Sequence, residues 1–429
     1  MLRSELPCFR LRSFSIYMFE SSCASHGDLP LTIDAVFPPA DPVVRRPILL
    51  VGDDLCWLAG RTELADRKII LADPGAELSA LLAAEPVDAV MVSYSDVSKS
   101  LAVLRAADAA ELAMLKLVRG DAREFAGMPC PYPVLPRVES VEILDDQMRT
   151  QLLVAAWQGK PALIRLLKQI TVAPTLPAIY SQITAALQSP NVSIADVAEL
   201  VARDPAVSAK LLQMVNSPLL RLQQRVTSIR DATSILGLDR LRSLVMASCL
   251  ARQFDISNCR SFSMDRFEAT SLRIANWASA IARAETRDVR VADMAFTAGL
   301  LHNFGVLLLS ANIPNAYEEV LRSARERRVS LALREFQTFG ATHAAIGGGF
   351  LASWRIPFPI INAVGWYPIP SASEDTAFSP LTAVHAATAV DAFAQTGMYA
   401  YDDRYMEKMG LCEKLEDWCV TLPEETLAA

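Results

Sequence analysis

Pro47-Ile48-Leu49-Leu50-Val51-Gly52-Asp53-Asp54 is the stretch on which the reading of the N-terminal half turns. A short continuous apolar run between Pro and Gly is the pattern of a strand buried on both faces. Three similar runs follow at roughly regular spacing: Ile69-Ile70-Leu71, Ala89-Val90-Met91-Val92 and Leu115-Lys116-Leu117-Val118. The Ala- and Leu-rich residues 76–84 and 99–113 between them read as helices, and residues 55–64 as a short first helix. Such alternation predicts a doubly wound parallel sheet with any site at the strand C-termini. Asp53 and Asp54 stand at such an end, where two carboxylates can share a divalent cation. A solvated strand end or a helix cap accounts for them equally well.

Upstream, residues 1–45 show no sustained periodicity and close on Pro38, Pro39 and Pro42. They read as a flexible extension in which either Met1 or Met18 can serve as the start. Arg3, Arg10 and Arg12 are followed by Ser, Tyr and Glu rather than by the apolar core of a secretory signal. The full 429 residues imply two or three domains, and 52% hydrophobic against 21% charged residues supply ample material for buried cores. A net charge of −7 and a pI near 5.3 speak against nucleic acid as a partner, because phosphate neutralisation needs a basic surface. The basic patch Arg325-Glu326-Arg327-Arg328 is short and interrupted by an acid, as at a solvated helix end. Eight cysteines without a C-x-x-C pair, with Cys412 and Cys419 too far apart for zinc-knuckle spacing, fit reduced thiols in a cytoplasmic protein. No apolar run approaches a bilayer span, so no membrane insertion is expected.

Downstream of the alternating region the strand signals largely disappear. Residues 139–164 read as a helical linker with Trp157 and Leu163 on its apolar face and a break at Gly159-Lys160-Pro161. Leu176, Ile179, Ile183 and Leu187 recur at helical spacing. Ser193 followed three residues later by Asp196 is an N-terminal cap signature. Asp204-Pro205 starts another helix, which must stop at Asn216-Ser217-Pro218.

Two resemblances follow from these residues. The order of strand, acidic pair and helix over residues 46–138 resembles a response-regulator receiver domain. That resemblance implies a phospho-accepting aspartate at the end of the third strand, where this chain has Ser93, and a lysine near the last strand, where it has Leu135 before Pro136. A serine cannot form an acyl phosphate, so the resemblance is to a degenerate receiver. The second covers residues 165–429. Leu176-Pro177, Asp204-Pro205, Lys210 to Ser217, Ala232 to Gly237, Ala298 to Gly305, His343 to Gly347 and Trp354 to Pro357 resemble the HDOD, or HD-related output, domain. The expected architecture is therefore an α/β receiver-like, flavodoxin-like N-terminal domain at 46–138, then the linker, then an all-α HD-like (HDOD) helical domain.

The HD resemblance implies a metal held by a helix-borne His, an adjacent His-Asp pair and a later Asp, together activating a water. At those positions this chain has Thr270, the pair His302-Asn303, and Thr388. A paired-histidine motif common in HD relatives would fall near Gly365-Trp366-Tyr367-Pro368 and is not there. His302 and His343 could meet, with His385 joining them, but each reads first as a hydrogen-bonded core histidine. Gly347-Gly348-Gly349 lacks the preceding strand and following Lys-Ser/Thr of a phosphate loop. No metal, cofactor or catalytic residue is expected. The resemblance implies a non-catalytic output or protein-interaction module in bacterial signal transduction. The partners expected are other signalling proteins, such as diguanylate cyclases, phosphodiesterases or two-component proteins, with a homodimer as a further arrangement. The alternatives are a small-molecule (nucleotide) sensor that uses the vacated HD pocket and a cryptic phosphohydrolase.

Overall fold

The computed structural model describes residues 45–421, apart from 59, 73–77, 79–80, 83–84, 110–113, 126–129, 138–139, 188, 190–191, 221–224 and 397–399. The extension over residues 1–44, with its alternative start at Met18, lies outside the described residues.

Strands β1 (Ile48–Gly52), β2 (Glu63–Leu64), β3 (Arg67–Ala72), β4 (Ala89–Ser93), β5 (Leu115–Arg119) and β6 (Val134–Leu135) form one sheet in the order β2-β3-β1-β4-β5-β6. All pairings are parallel except the β2–β3 hairpin. Leu50 pairs with Leu71 on one side and Met91 on the other. The strand period of two sends Leu49 and Val51 to one face, where helix α1 (Val97–Ala109) covers them with Leu101 and Leu104. Ile48 and Leu50 face the other way, against Leu58, Leu64, Leu144 and Met148. The apolar runs of β1 and β4 are thus buried on both sides, whereas Leu71 of β3 is exposed.

The expected first helix at residues 55–64 is not formed. Cys56–Leu58 makes one 3-10 turn, and the chain then enters β2. The two-residue hairpin loop has positive φ at both Ala65 (51°) and Asp66 (56°), the backbone of a type I′ turn, without the usual Asn-Gly. Its cost is offset from outside: Ala65 N donates to Asp145 at 2.6 Å, and Arg149 grips Asp66 with two bonds of 2.6 and 2.7 Å.

Both anchors lie on α2 (Val141–Gln158), within the segment read as a helical linker. Leu144 and Met148 of α2 are buried under the sheet, whereas Leu153 and Trp157 are buried in the helical core. One continuous helix therefore belongs to both halves. It ends at Gly159, and α3 (Pro161–Leu167) begins at the expected break.

The remaining described residues are helical with short connections. The group α4 (Ala178–Leu187), α5 (Ile194–Ala202), α6 (Pro205–Val215), α7 (Ile229–Leu236) and α8 (Leu238–Ala251) packs around Ile183, Val201, Leu211 and Leu244. Ser193 and Asp196 form a reciprocal capping box, and the Asp204 side chain accepts from the N–H groups of Ala206 and Val207. Helices α9 (Met264–Thr286) and α10 (Val289–Leu301) are shared between this group and a larger core. That core adds α11 (Phe304–Asn312), α12 (Pro314–Arg327), α13 (Leu331–Phe339), α14 (His343–Ser353), α15 (Phe358–Trp366), α16 (Pro380–Thr396), α17 (Asp403–Met409) and α18 (Lys414–Thr421). Arg325 to Arg328 close α12 as an exposed helix end. Contrary to the expectation from the sequence, Val289–Asn312 does reach the length and apolarity of a membrane span, with a mean hydropathy of 1.5. Of its most apolar window 78% is buried against other helices, which accounts for that composition.

Candidate functional site

Tyr367, just past α15, links His302, Asn303 and His343, while Thr270 lies on α9 and Thr388 on α16. His302 closes α10 and is 2% exposed. Its Nδ1–H donates to the Gly299 carbonyl at 2.6 Å, which leaves Nε2 as an acceptor. Burial lowers its pKa to about 3, because a charged ring would be desolvated; the Gly299 bond opposes this, and His343 and Arg273 add to it.

His343 opens α14, behind the Thr342 cap. Its backbone N–H and its ring Nδ1 both contact Glu335 Oε2, at 2.8 and 2.6 Å, and Tyr317 donates to the other oxygen of that carboxyl group. Glu335 is fully buried, so these donors replace its water shell. On the far side of the ring, Nε2 meets the Tyr367 hydroxyl at 2.6 Å. The same hydroxyl lies 3.3 Å from Asn303 Oδ1. Tyr367 is also packed edge-on to His302, with ring centres 5.2 Å apart. The two histidines are therefore joined through a tyrosine. Burial, with Glu335 nearby, raises the pKa of that phenol and keeps it a neutral donor.

His385 is tied elsewhere. Its Nδ1 donates to the Tyr367 carbonyl at 2.7 Å, and its Nε2 accepts from Asp402 N at 3.0 Å. Burial lowers its pKa as well. Thr388 turns back to the His385 carbonyl at 2.8 Å. Thr270 accepts a 3.4 Å bond from Arg273. The neutral residues at the ligand positions thus bond to their own helices or to Tyr367, not to one another.

Sequence reasoning missed the charges. Arg273 lies three residues after Thr270 and Asp391 three after Thr388, on the same helix faces. Their side chains, 8% and 12% exposed, form an ion pair of 2.6 Å between α9 and α16. Gln395 donates to the second Asp391 oxygen at 2.6 Å. The metal that the HD resemblance implies does not fit this set. Thr270 stands where a histidine would, and the expected acids are the amide of Asn303 and the hydroxyl of Thr388, so His302, whose Nε2 is left as an acceptor, is the one implied ligand that remains. Among the described residues no three His, Cys, Asp or Glu side chains converge. A cavity of about 20 Å³, enough to hold a water, is lined by Met214, Leu250, Phe267, Ser271, Leu301 and Phe304.

The glycine run 347–349 lies inside α14. A Cβ on Gly348 would stand 2.6 Å from the ring of Trp157, and one on Gly365 of α15 would stand 2.3 Å from it. These glycines admit the indole.

The second candidate site, at the strand ends, has the same logic. Ser93 ends β4, fully buried, and donates to Asp54. Asp53 accepts from Ser95 N at 2.7 Å and from its hydroxyl at 3.1 Å. Asp54 is paired with Arg137, and with Arg119 at 3.4 Å. Leu135, where the lysine was expected, is buried in β6; Arg137, two residues on, supplies the cation. Gly52 is required here, since a Cβ would stand 1.5 Å from the Ser93 carbonyl oxygen.

The buried neutral histidines set a pH dependence. An unfolded histidine takes up a proton below about pH 6.5, whereas folded His302 does so only near pH 3. Stability should therefore be full above about pH 6.5 and fall on acidification, by about 1.4 kcal/mol per pH unit for this residue. Urea unfolding between about pH 7 and pH 5 measures the slope. His302→Gln should reduce it; an unchanged slope would mean that His302 is not held neutral.

Among proteins of known sequence or structure, an uncharacterised protein of Treponema pallidum (strain Nichols) is 25% identical over 209 residues, 48% of this chain and 40% of that one. The chain thus spans well under half of that relative. An HDOD domain protein of unknown function from Geobacter sulfurreducens is 20% identical, over 62% of this chain and 90% of the other, with a TM-score of 0.49. A proposed signal transduction protein of Marinobacter aquaeolei VT8 is 18% identical over 73% and 78%, with a TM-score of 0.46. A proposed phosphohydrolase of Shewanella amazonensis SB2B is 22% identical over 60% and 94%, also at 0.46. The family model for the HDOD domain matches residues 173–370. That span holds Thr270, His302, Asn303, His343 and Tyr367, and this part of the chain is an HDOD domain.

Proposed function

We propose that this chain is a non-catalytic signalling protein of the bacterial cytoplasm, in which the HDOD domain acts as an output or docking module for other signalling proteins. One observation carries the reading: at the positions that the HD resemblance gives to metal ligands stand Thr270, Asn303 and Thr388, neutral side chains already engaged by protein groups, where turnover would need a divalent cation and its ligands. Three protein ligands are the ordinary minimum for a hydrolytic metal. A preorganised neutral network with an internal cation is suited to holding shape. The purified full chain should leave cyclic dinucleotides and phosphomonoesters intact with manganese or iron supplied. Hydrolysis that His302→Ala abolishes would refute the reading.

The N-terminal sheet is proposed to be a degenerate receiver. Its parallel strands run in the order β3-β1-β4-β5-β6, the 2-1-3-4-5 sequence of one doubly wound class. Arg137 and Ser93 already occupy the oxygens of Asp54. Acetyl phosphate should therefore leave this domain unmodified. A hydroxylamine-labile phosphate mapped to Asp53 or Asp54 would contradict it.

A further inference from the structure

We propose that α15 couples the N-terminal sheet to the histidine pocket, so that a change in one half is read out in the other. Helix α15 is held from both ends. Its N-cap residue, Pro357, has no side chain to cap with, and the Phe358 N–H is capped instead by Asp146 of α2 at 2.8 Å. A carboxylate at a helix N-terminus is also favoured by the helix dipole. Along its length, Gly365 receives Trp157 from the same α2. Just past its other end, Tyr367 bonds His343 and packs against His302.

The segment after α15 is tied to the sheet directly. Arg67 of β3 holds Glu374 through two bonds of 2.8 and 3.0 Å while its Nε binds Asp88 at 2.6 Å. Asn362 of α15 accepts from Ser373, next to Glu374, at 3.1 Å. A shift of β3 or α2 relative to the helical core therefore pulls on both ends of a nine-residue rod. At the pocket end the Tyr367 hydroxyl, with one proton, is placed between His343 and Asn303. Packed helices move between discrete arrangements rather than deforming smoothly, so a small displacement should change which of these bonds forms.

The test uses the full chain and its four histidines, whose selectively 13C-labelled rings give four resolvable signals. Arg67→Ala removes the grip on Glu374, and Asp146→Ala removes the cap on Phe358; neither residue touches a histidine. Both variants should shift the His302 and His343 signals. Arg203→Ala, which breaks only an exposed pair with Glu199, should leave them in place. Unmoved His302 and His343 signals in the folded Arg67 and Asp146 variants would overturn the proposal. Coupling must also run in reverse. Tyr367→Phe should speed amide exchange in residues 141–150 about fivefold, the low end of ordinary coupling between sites. Unchanged exchange there would equally overturn it.

Discussion

Trp157→Ala is expected to cost about 3–5 kcal/mol of folding stability, the range for removing a large buried aromatic side chain. The ring is 3% exposed and fills the space that Gly348 and Gly365 leave open on two neighbouring helices. It also stacks obliquely on Trp366 at 6.0 Å. Neither glycine can grow to refill the gap, so the cavity should persist. Trp354 caps the end of another apolar helix, α14. Trp354 is only half-buried, against Phe304 at 5.6 Å, and its truncation should cost less. Urea midpoints of the two alanine variants make the comparison. Equal losses would mean that α2 is not seated in the helical core.

Asp391→Ala should be comparably damaging, about 3–5 kcal/mol, because it leaves the Arg273 guanidinium buried without its counter-charge. The pair as a whole is a different matter. Desolvating two ions offsets most of their attraction, so Arg273→Met with Asp391→Leu should lie much nearer the parent than Asp391→Ala alone. A double-mutant cycle by chemical unfolding reads this directly. Additive losses from the two sites would show that Arg273 and Asp391 do not depend on each other.

The parts of the fold that were legible in the sequence were written in local chemistry. The strands β1 and β4 follow from apolar runs that water cannot touch on either face, and the caps at Ser193 and Asp204 from side chains that satisfy orphan N–H groups. The β2–β3 hairpin was hidden because its turn, Ala65-Asp66, carries no Gly or Asn; Asp145 and Arg149, eighty residues away, stabilise it. The double role of α2 was hidden because both of its halves bury apolar residues, and periodicity does not say against what. At the site, substitution at Thr270, Asn303 and Thr388 was visible. Its counterpart was not: Arg273 and Asp391 each read as an ordinary helical charge until the α9–α16 contact joins them. Tyr367 was equally invisible as the link between His302 and His343, since neither helix that carries a histidine contains it.

His302, Asn303 and His343 are gathered around Tyr367 and are not arranged as a metal site. The most direct measurement is the metal content of the purified full chain after equilibration with manganese or iron and dialysis, together with its melting midpoint with and without chelator. The expected result is far less than one equivalent of retained metal and a melting midpoint that chelator does not move, because Glu335 and Tyr367 already engage His343, and Arg273 and Asp391 engage each other. One retained equivalent of metal that is lost in His302→Ala, with a melting midpoint that falls in chelator, would contradict it.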